Sequence, residues 1–467
     1  MKVAWSGQFT RGKALQILEE AAVECPNVHL NILGDGKLNK KYHKLAKNLG
    51  VDQFITWHGW VEKSKAEAVV AESDIFVITS LRDLTSTVLL EALSKGKPVV
   101  CLDHCGFSDV VDETCGIKIP VGKPRDVVKG FAEAICRLKD PKLRARLSKG
   151  ALEKARQYLW SEKAKTMKRI YGVSGKKVLA TVYCCSPYRG SEPGEGWNYL
   201  KIIAEENEVW AIVEEEKWRG DIERWMADLS SKVQNSSVPS PRQTGEYEWV
   251  KNVHWVFLRK PRARWLRKIW PPSYYWFYRI WHWRAYKLAQ KLDRDVHFDI
   301  FHQLNMVSFR EPGYLWKFNR RFVWGPIGGL GYTDWRLLPL LGFAGAMEFF
   351  MRNVINWCHA HFLIRPRLAA RRASETNSMI VATEENRREA EKLWGVESQL
   401  LCEIGVDSVD NCIKMGGGRL IMAWSGLFEE RKALPILLLA LKHLAMRRRR
   451  DEGFRHCACQ QSVNSMR

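Results

Sequence analysis

The stretch DIFVITSLRDLTSTVLLEALSKGKPVVCLD, Asp74 to Asp103, decides the fold. It begins with a short apolar run, continues with a helical pattern that ends at Gly96, and closes on a second apolar run after Pro98. Short apolar runs on either side of a helical pattern are typical of parallel strands joined by a crossover helix. The stretch therefore predicts a strand, a helix and a strand of one parallel sheet.

The same alternation extends through residues 1–172, where a long helical pattern closes the region. The linker GVSGKK, Gly172 to Lys177, follows, and a second alternating region opens with the strand KVLATVYCCS. We therefore predict an α/β protein with two Rossmann-like domains built on parallel sheets, at residues 1–172 and 176–410.

The bulk composition limits the class of protein. The chain has 467 residues, of which 46% are hydrophobic, and this suits two or three globular domains. The most apolar stretch, Leu337 to Phe350, is too short to span a bilayer, and the N-terminus lacks the apolar core of a signal peptide. These features predict a cytoplasmic protein. Its net charge of +22 favours an anionic partner, which is nucleic acid, a membrane surface or an anionic small substrate.

The twelve cysteines indicate neither a disulfide framework nor a zinc module. No C-x-x-C pair occurs, and the adjacent Cys184 and Cys185 suit a buried strand. A zinc site could be imagined from four residues, but their spacing does not match that of any ordinary zinc module: Cys101, His104, Cys105 and Cys115. We therefore expect no metal site.

The chain opens and closes on nearly the same phrase. VAWSGQFTRGKAL begins at Val3, and MAWSGLFEERKAL begins at Met422. Between residues 3–21 and 422–440, 11 of 19 positions are identical. Chance does not produce such a match, so the phrase is an internal repeat of long period.

Both copies predict the same strand and helix, and one sheet has one place for that strand. Because residues 2–21 continue directly into their own domain, loop closure favours the first copy in that place. We therefore expect the second copy to be displaced, with no native surface against which to bury its apolar residues. The final segment, residues 446–467, has no core pattern and is predicted to be a disordered tail.

The stretch around Asp83 and Glu91 resembles the donor-binding stretch of the family 4 retaining glycosyltransferases (glycosyl transferases group 1), which have the GT-B fold. The signature of that family has two acidic residues with seven between them, followed by a glycine and a proline, and here Gly96 and Pro98 follow. Family members usually carry Glu at the first position, where this chain has the shorter Asp83. The resemblance implies a donor domain that binds a nucleotide-sugar at residues 1–172.

Two further regions resemble the same family. The opening SGQFTRGKAL looks like its donor-phosphate loop, with Lys13 at the place of the family's lysine and Gln8 where Arg is common. The segments GSEPGEGWNYLKIIAEENEVWAIV, VWGPIGG and IGVD look like its acceptor domain. Since the acceptor domain comes first in the family, the resemblance implies GT-B domains in permuted order, with a truncated second copy of the donor-domain start at residues 419–445.

The resemblance assigns roles to residues on the donor side. Glu91 would accept hydrogen bonds from the ribose hydroxyls, and its apolar neighbours favour this role over that of a helix-surface Glu. Asp83 would contact the transferred sugar. Lys13 and the helix start at Thr85–Thr87 would bind the diphosphate, although ordinary helix capping also explains Ser and Thr there.

Several glycines complete the predicted site. Gly34 and Gly59 end two strands, where an open α/β sheet gathers ligands, although plain turn chemistry explains them equally well. The backbone from Gly59 to Val61 could then hold the base. The complete predicted donor-binding set is Gly7, Lys13, Gly34, Gly59, Trp60, Val61, Thr85, Ser86, Thr87 and Glu91.

The predicted acceptor side is carried by a glycine-rich loop and a histidine. Gly190, Gly194 and Gly196 enter a helix, and we expect them to face the cleft between the domains. His302 follows the strand FDIF, so it is either a contact to the transferred sugar or a satisfied core histidine. The predicted catalytic set is Lys13, Asp83, Glu91 and His302.

The segment 251–290 has an unusual composition: ten Lys or Arg residues, six Trp and no acidic residue. Such a mixture suits contact with anionic headgroups at a membrane surface. Core aromatics with a solvated basic face are the second interpretation, and stacking of single-stranded nucleic acid is the least favoured one.

The sequence as a whole predicts a retaining glycosyltransferase that moves a sugar from a nucleotide-sugar to a hydroxyl acceptor, either a glycan or a lipid-linked molecule. The resemblance requires no metal and no cofactor. We expect the protein in the cytoplasm, on the inner face of a membrane if residues 251–290 bind lipid. A GT-B-fold sugar-nucleotide epimerase and an inactive nucleotide-binding remnant of fused glycosyltransferase genes remain as alternatives.

Overall fold

The computed structural model describes residues 28–36, 38–235, 247–261, 273–306, 308–410, 420–426, 428 and 430–444. These residues form two compact units. The first unit contains the described residues up to Gln157, the segment Tyr332–Ile355 and the described residues from Val406 onwards. The second unit contains Tyr158–Gly331 and Asn356–Gly405, within the same described ranges. Each unit is built on one parallel sheet, which confirms the predicted α/β class.

The sheet of the first unit contains the strands β1 (Val28–Leu33), β2 (Ile55–Gly59), β3 (Ile75–Ile78), β4 (Val99–Leu102), β5 (Gly116–Ile119) and β13 (Leu420–Ser425). Their order across the sheet is β2-β1-β13-β3-β4-β5, and neighbouring strands are parallel. Every residue of β3 and β4 is buried, as expected of a parallel sheet with helices on both faces.

The helices of the first unit are α1 (Asn39–Asn48), α2 (Lys63–Ala71), α3 (Thr87–Ser94), α4 (Cys105–Val110), α5 (Pro124–Arg137), α6 (Pro141–Arg156) and a helix at 434–444. Both α5 and α6 begin with proline, whose missing N–H costs nothing at that position. Val127, Phe131 and Ile135 follow the helical repeat of α5 and are buried in the core.

The second copy of the repeated phrase occupies the centre of this sheet. Strand β13 lies between β1 and β3, with Val28 opposite Leu420 and Ile75 opposite Met422. The main-chain N–H of Asp74 donates to the Ile421 carbonyl beside it. Pairing on both sides makes β13 an interior strand, so the sheet is continuous only when this segment is in place.

Side-chain hydrogen bonds hold β13 in place in addition to its backbone pairing. The indole Nε1 of Trp424 donates to the hydroxyl of Thr79 at 2.9 Å, and that hydroxyl donates to the carbonyl of Lys432 at 2.6 Å. Trp424 and Thr79 are both buried, so each polar atom is satisfied away from water. One buried hydroxyl thus ties the second copy's strand to the turn that follows it.

The expectation that the second copy is displaced is therefore wrong. Leu438 and Leu439 of helix 434–444 are 0% and 4% exposed, and the first copy has Glu19 and Glu20 at these positions. Burying two unpartnered carboxylates would be strongly unfavourable, whereas each doubling of a loop's length costs only about 0.6 kcal/mol. Burial thus outweighs loop closure. The first copy belongs to residues 1–27, which lie outside the described residues, as does the predicted tail at 446–467.

The sheet of the second unit contains β6 (Lys177–Thr181), β7 (Glu208–Glu214), β8 (Val253–Leu258), β9 (Ile300–Gln303), β10 (Arg321–Ile327), β11 (Met379–Val381) and β12 (Gln399–Leu400). Their order is β12-β11-β10-β9-β6-β7-β8, again with parallel neighbours. The helices of this unit are α7 (Trp160–Tyr171), α8 (Ser191–Ala204), α9 (Glu215–Asn235), α10 (Ser273–Val296), α12 (Ile364–Ser374) and α13 (Glu384–Trp394).

The boundary between the units lies at Gln157, earlier than the predicted residue 172. Helix α7, which the sequence places at the end of the donor domain, belongs to the second unit because Met167, Ile170 and Tyr171 are part of its core. The second unit also ends at Gly405 rather than at residue 410.

The segment Tyr332–Ile355 belongs to the first unit although it interrupts the second in sequence. A 3-10 helix at Trp335–Leu341 leads into helix α11 (Gly342–Phe362), and Leu337, Leu341 and Phe349 join the core of the first unit. Among the helices that the structure describes, none is long and apolar enough to cross a membrane.

The basic, aromatic segment 251–290 is divided between core and surface. It contains β8 and the start of α10, while residues 262–272 are not among those described. Tyr278 and Trp281 are buried in the core of the second unit, as the core interpretation predicts. Trp276 and Trp283 are exposed on the same helix. Membrane contact by this segment stays a prediction.

The position of β13 predicts how the chain responds to truncation. Deleting residues 411–467 removes β13 and helix 434–444, so two buried strands lose their neighbour. We expect the truncated chain to lose its cooperative thermal transition, as followed by circular dichroism. Deleting only residues 446–467 serves as the control and should leave the transition unchanged. A truncated chain that melts like the full-length protein would show that β13 is dispensable.

The two tryptophans of the repeat provide a matched pair of variants. Trp424→Ala empties a buried position and removes the bond to Thr79, so it should lower the free energy of unfolding by roughly 3–5 kcal/mol. Trp5→Ala, at the equivalent position of the first copy, should change it by less than about 0.5 kcal/mol. Urea denaturation measures both. The reverse order would place the first copy in the sheet.

Candidate functional site

The candidate site of the first unit lies at the edge of its sheet where the parallel strands end. The turns after β1, β2, β3 and β13 all leave the sheet at this edge, where ligands of open α/β sheets bind. Two of the predicted glycines meet there, since the main-chain N–H of Gly34 donates to the Gly59 carbonyl at 2.6 Å. Both have positive φ angles, of 139° and 64°.

Asp83 carries the strongest charge interactions of this edge. It follows β3, and its carboxylate is bonded to the ammonium of Lys432 and lies 3.4 Å from the guanidinium Nη1 of Arg431. The main-chain N–H of Leu84 also donates to the carboxylate, at 3.2 Å. Lys432 is almost fully buried, so the ion pair is shielded from water.

The pKa of Asp83 reflects this environment. Burial alone would raise it, but the positive charges of Lys432 and Arg431 outweigh burial and hold the pKa below its usual value. The carboxylate is therefore ionised at neutral pH. Two cations gathered around one carboxylate leave a net positive charge at this point of the sheet edge.

The lysine beside Asp83 is the counterpart, in the repeat, of the predicted Lys13. Lys13 and Gly7 lie outside the described residues, whereas Lys432 and Gly426 hold the equivalent positions beside β13. Sequence reasoning dismissed the second copy and so missed Lys432 and Arg431. The repeat itself was the available signal, because it contains the same Lys-Ala-Leu after the glycine.

The start of α3 lies directly after Asp83 in the chain. Ser86 precedes the helix with a φ of 76°, a conformation that residues other than glycine seldom adopt, and Thr87 is the first helical residue. Thr85 is buried. The first N–H groups of a helix have no partner within it and attract anions. The three predicted residues therefore lie beside the same sheet edge as the two cations.

Glu91 is placed on α3, one turn into the helix. Its side chain is one quarter exposed, and its Oε1 lies 3.7 Å from the ammonium of Lys63 on α2. Burial raises the pKa of Glu91, and the charge of Lys63 opposes that shift without cancelling it. Lys63 was not predicted, and the sequence carries no signal for it. The carboxylate has spare acceptor capacity for a polyol, since a carboxylate accepts about four hydrogen bonds.

Trp60 is the most conspicuous residue of the turn after β2. It is 74% exposed and lies between Gly59 and the partly exposed Val61. An exposed indole beside a sheet edge offers a flat apolar surface for a ring. This placement is compatible with the predicted contact to a base.

The three predicted glycines of the second unit have different surroundings. A Cβ on Gly196 would lie 2.1 Å from the Cys184 carbonyl and 2.6 Å from Asn305 Nδ2, so this glycine lets α8 approach the end of β6. Gly194 is similarly close to the Arg189 carbonyl, at 2.5 Å, while Gly190 meets nothing within 4 Å. Gly196 is therefore explained by packing.

His302 is a core residue, so its predicted contact with a sugar is not supported. Its side chain is fully buried, with Nδ1 2.6 Å from the Tyr171 hydroxyl and Nε2 2.9 Å from the Gly325 carbonyl. Because a carbonyl only accepts, Nε2 carries the hydrogen and Nδ1 accepts from Tyr171. Burial lowers the pKa of His302 to about 4, so the ring is neutral. The alternative of a satisfied core histidine is the one that the geometry favours.

The described residues contain no group of three or more His, Cys, Asp or Glu side chains placed to hold a metal ion. Cys101, Cys105 and Cys115 of the imagined zinc site are buried thiols. Burial raises the pKa of Cys115 to about 11, which keeps this thiol protonated. The site is therefore described by its carboxylates, cations and helix start.

Comparison with known proteins finds similarity over part of the chain. Residues 2–154 match the family "Glycosyl transferases group 1". The lipopolysaccharide core biosynthesis glycosyltransferases LpsE and LpsD of Rhizobium meliloti (strain 1021) are 33% identical over 144 residues and 34% identical over 166 residues. These matches cover 30% and 35% of this chain. They cover 41% and 46% of the relatives, so the chain spans less than half of their length.

More distant matches name related proteins. The sulfoquinovosyl transferase SQD2 of Arabidopsis thaliana is 27% identical over 155 residues, which is 33% of this chain and 30% of that protein. Among solved structures, WaaG, a glycosyltransferase involved in lipopolysaccharide biosynthesis, is 25% identical, with 31% of this chain and 38% of that chain covered and a TM-score of 0.27.

The family match and the sheet edge concern the same part of the chain. Asp83, Thr85–Thr87 and Glu91 all lie within the matched residues, and the structure gathers them at one edge of one parallel sheet. Residues 2–154 of this chain are thus similar in sequence to the group 1 glycosyl transferases.

Proposed function

We propose that this protein transfers a sugar, with retention of configuration, from a nucleotide-sugar to a hydroxyl group of a glycan or a lipid-linked acceptor. The observation that carries the proposal is the gathering of Asp83, Lys432, the start of α3 and Glu91 at one edge of the first sheet. Cations and helix N–H groups suit a diphosphate, and a carboxylate that is one quarter exposed suits the ribose hydroxyls. The relatives named above are glycosyltransferases, which supports the same reaction class.

Lys432 and Arg431 provide the charge that the reaction needs. As the bond between the anomeric carbon and the diphosphate oxygen breaks, negative charge grows on the departing diphosphate. A bond forms between that carbon and the acceptor oxygen on the same face, and the acceptor's proton passes to the departing oxygen. Fixed cations beside that oxygen stabilise the transition state more than the ground state.

Asp83 holds these cations before the donor arrives. Its ion pair with Lys432 keeps the ammonium buried and in position, which lowers the cost of ordering a flexible lysine at the moment of reaction. When the diphosphate binds, the same ammonium gains a second anionic neighbour. Asp83 is thus a positioning residue in this proposal, in addition to its predicted contact with the sugar.

The general test is a panel of nucleotide-sugars incubated with the full-length protein, with release of the nucleotide followed by chromatography. A transferase releases nucleoside diphosphate and yields a glycosylated glycan or lipid. An epimerised nucleotide-sugar without release would contradict transfer. Binding without any product would support the inactive remnant instead.

Variants of the two equivalent lysines of the repeat, Lys13 and Lys432, test which of them contacts the phosphate. Lys432→Met should lower the turnover number by roughly 10²–10³-fold, the usual effect of removing one donor to a developing oxyanion. Lys13→Met should leave it within about twofold. Steady-state nucleotide release measures both. The opposite ranking would assign the phosphate contact to the first copy.

A stability control accompanies that measurement. Removing Lys432 leaves the Asp83 carboxylate with Arg431 as its remaining cation, which destabilises a buried pair. The double variant Asp83→Asn/Lys432→Met also removes the buried carboxylate that lost its closest cation, and it leaves Arg431, which is partly exposed. It should restore the melting temperature without restoring turnover. Recovery of turnover with stability would mean that Lys432 has only a structural role.

Glu91→Gln should weaken nucleotide-sugar binding by about 1.5–3 kcal/mol, the scale of a hydrogen bond to a charged group. Titration calorimetry measures the affinity, with Glu67→Gln as the control on the neighbouring helix. Because burial raises the pKa of Glu91, the carboxylate gains a proton at a higher pH than an ordinary Glu. Wild-type affinity should therefore fall as the pH is lowered from neutrality, and that fall should be smaller in Glu91→Gln. Unchanged affinity would remove Glu91 from the site.

A further inference from the structure

Helix α10 of the second unit presents a row of positive charges on its exposed side. The row consists of four exposed residues, Arg284, Lys287, Lys291 and Arg294, which follow one another at intervals of three, four and three residues. Such intervals place side chains on one face of a helix, so the four charges extend over about 15 Å along its axis. We refer to these four residues as the basic face of α10.

Among the described residues, no acidic side chain forms a salt bridge with the basic face. The acidic residues next to it in sequence are Asp293 and Asp295, and Asp293 is paired with Arg320 instead. Arg279, earlier on the helix, is not counted in the basic face because it is paired with Glu311. Four positive charges, less the one negative charge of Asp295, leave a net charge of +3 on this side of the helix.

The charges of the basic face repel one another. Lys287 and Lys291 lie one turn apart, and like charges at this spacing destabilise a helix. The opposite side of α10 stabilises it, since Tyr278 and Trp281 are buried in the core of the second unit. An anion that lies along the basic face would remove the repulsion. Because the charges form a row, the complementary partner is a chain that carries several negative charges along its length.

An aromatic ring lies at the start of the row. The indole of Trp283 is 40% exposed, and its centre is 4.9 Å from the ammonium of Lys287 and 5.8 Å from that of Lys317. An exposed indole offers a flat apolar surface to the C–H groups of a pyranose ring, and the ammonium groups beside it suit a carboxylate or phosphate on that ring. The partly exposed amide of Gln290, on the same side of the helix, suits hydroxyl groups.

The distribution of apolar side chains favours a saccharide over other anionic partners. A helix that lies in a bilayer interface inserts an apolar face, whereas the large exposed apolar side chains of α10 are confined to its first half, at Tyr275, Trp276 and Trp283. Single-stranded nucleic acid stacks successive bases on aromatic side chains, and none of the exposed residues from 284 to 294 is aromatic. The exposed residues there are charged, which suits a hydroxylated chain that carries negative groups.

We propose that the basic face of α10 binds an acidic oligosaccharide, whose carboxylate or phosphate groups pair with the four cations while one of its sugar rings contacts Trp283. The inference rests on the proposed function, because this oligosaccharide would be the glycan acceptor of the transfer reaction. The basic face thus holds the acceptor by its charges. The residues that would bind the donor belong to the first unit.

The test measures binding of a fluorescently labelled oligogalacturonate, in which every ring carries a carboxylate, to the full-length protein by fluorescence anisotropy. The variant Lys287→Gln/Lys291→Gln should raise the dissociation constant roughly tenfold. The matched control Arg388→Gln/Lys392→Gln removes the same charge, at the same spacing, from exposed positions of α13 and should leave it within about twofold. A maltooligosaccharide of the same length has no charge and should bind more weakly than the oligogalacturonate.

A second variant tests the aromatic contact. Trp283→Ala should raise the dissociation constant for the oligogalacturonate and leave its dependence on salt unchanged, because no charge is lost. Circular dichroism verifies that each variant is folded. Equal binding by Lys287→Gln/Lys291→Gln and its matched control would overturn the proposal. So would a wild type that fails to bind the oligogalacturonate but floats with phosphatidylglycerol vesicles, if the lysine variant does not float, since the face would then contact a membrane.

The result can be separated from that of the proposed function. Titration calorimetry with the nucleotide-sugar should give the same donor affinity for Lys287→Gln/Lys291→Gln as for the wild type. Oligogalacturonate binding by the basic face without nucleotide release from any donor would contradict transfer and support the binding surface. Acceptor-dependent nucleotide release by the wild type, together with oligogalacturonate binding that the lysine variant does not weaken, would support transfer and overturn this inference alone.

Discussion

The parallel pairing of β13 with β1 and β3 is the constraint on which the first unit depends. Without this strand the six-stranded sheet would be a pair and a triplet with no hydrogen bonds between them. The hydroxyl of Thr79 makes the same connection through side chains, since it accepts from Trp424 and donates to the Lys432 carbonyl. Fold and site are therefore joined at one point, because the residue whose carbonyl is fixed there also carries the ammonium next to Asp83.

That ammonium has to be held in a region from which water is largely excluded. A buried lysine is unfavourable unless an anion compensates it, and Asp83 is that anion in the absence of substrate. The lowered pKa of Asp83 shows that attraction exceeds desolvation at this position. A site that compensates its own charge stays folded when empty, and the phosphate of the proposed donor would meet cations that are already in place.

The sequence predicted the fold class well because the pattern from Asp74 to Asp103 is local: two apolar runs and a helix fix a parallel unit without knowledge of the rest. The placement of Asp83, Ser86 and Glu91 around that unit follows for the same reason. Which copy of the repeat forms the central strand could not be predicted in this way. The answer depends on whether the cost of loop closure exceeds the gain from burying Leu438 and Leu439, and that gain can be judged only when the core is known. His302 was ambiguous because both of its partners are distant in sequence.

The position of β13 has a consequence for synthesis on the ribosome. Strands β1 to β5 have emerged by Ile119, yet their central neighbour begins only at Leu420, 301 residues later. At about 5–20 residues per second, the nascent first unit waits roughly 15–60 s for β13, the strand that pairs with β1 and β3 in the folded chain. Unpaired, apolar strand edges readily associate with other chains. This protein is therefore exposed to misassembly during translation for longer than a chain whose sheet is completed in sequence order, and holdase chaperones acting on nascent chains would be its natural protection.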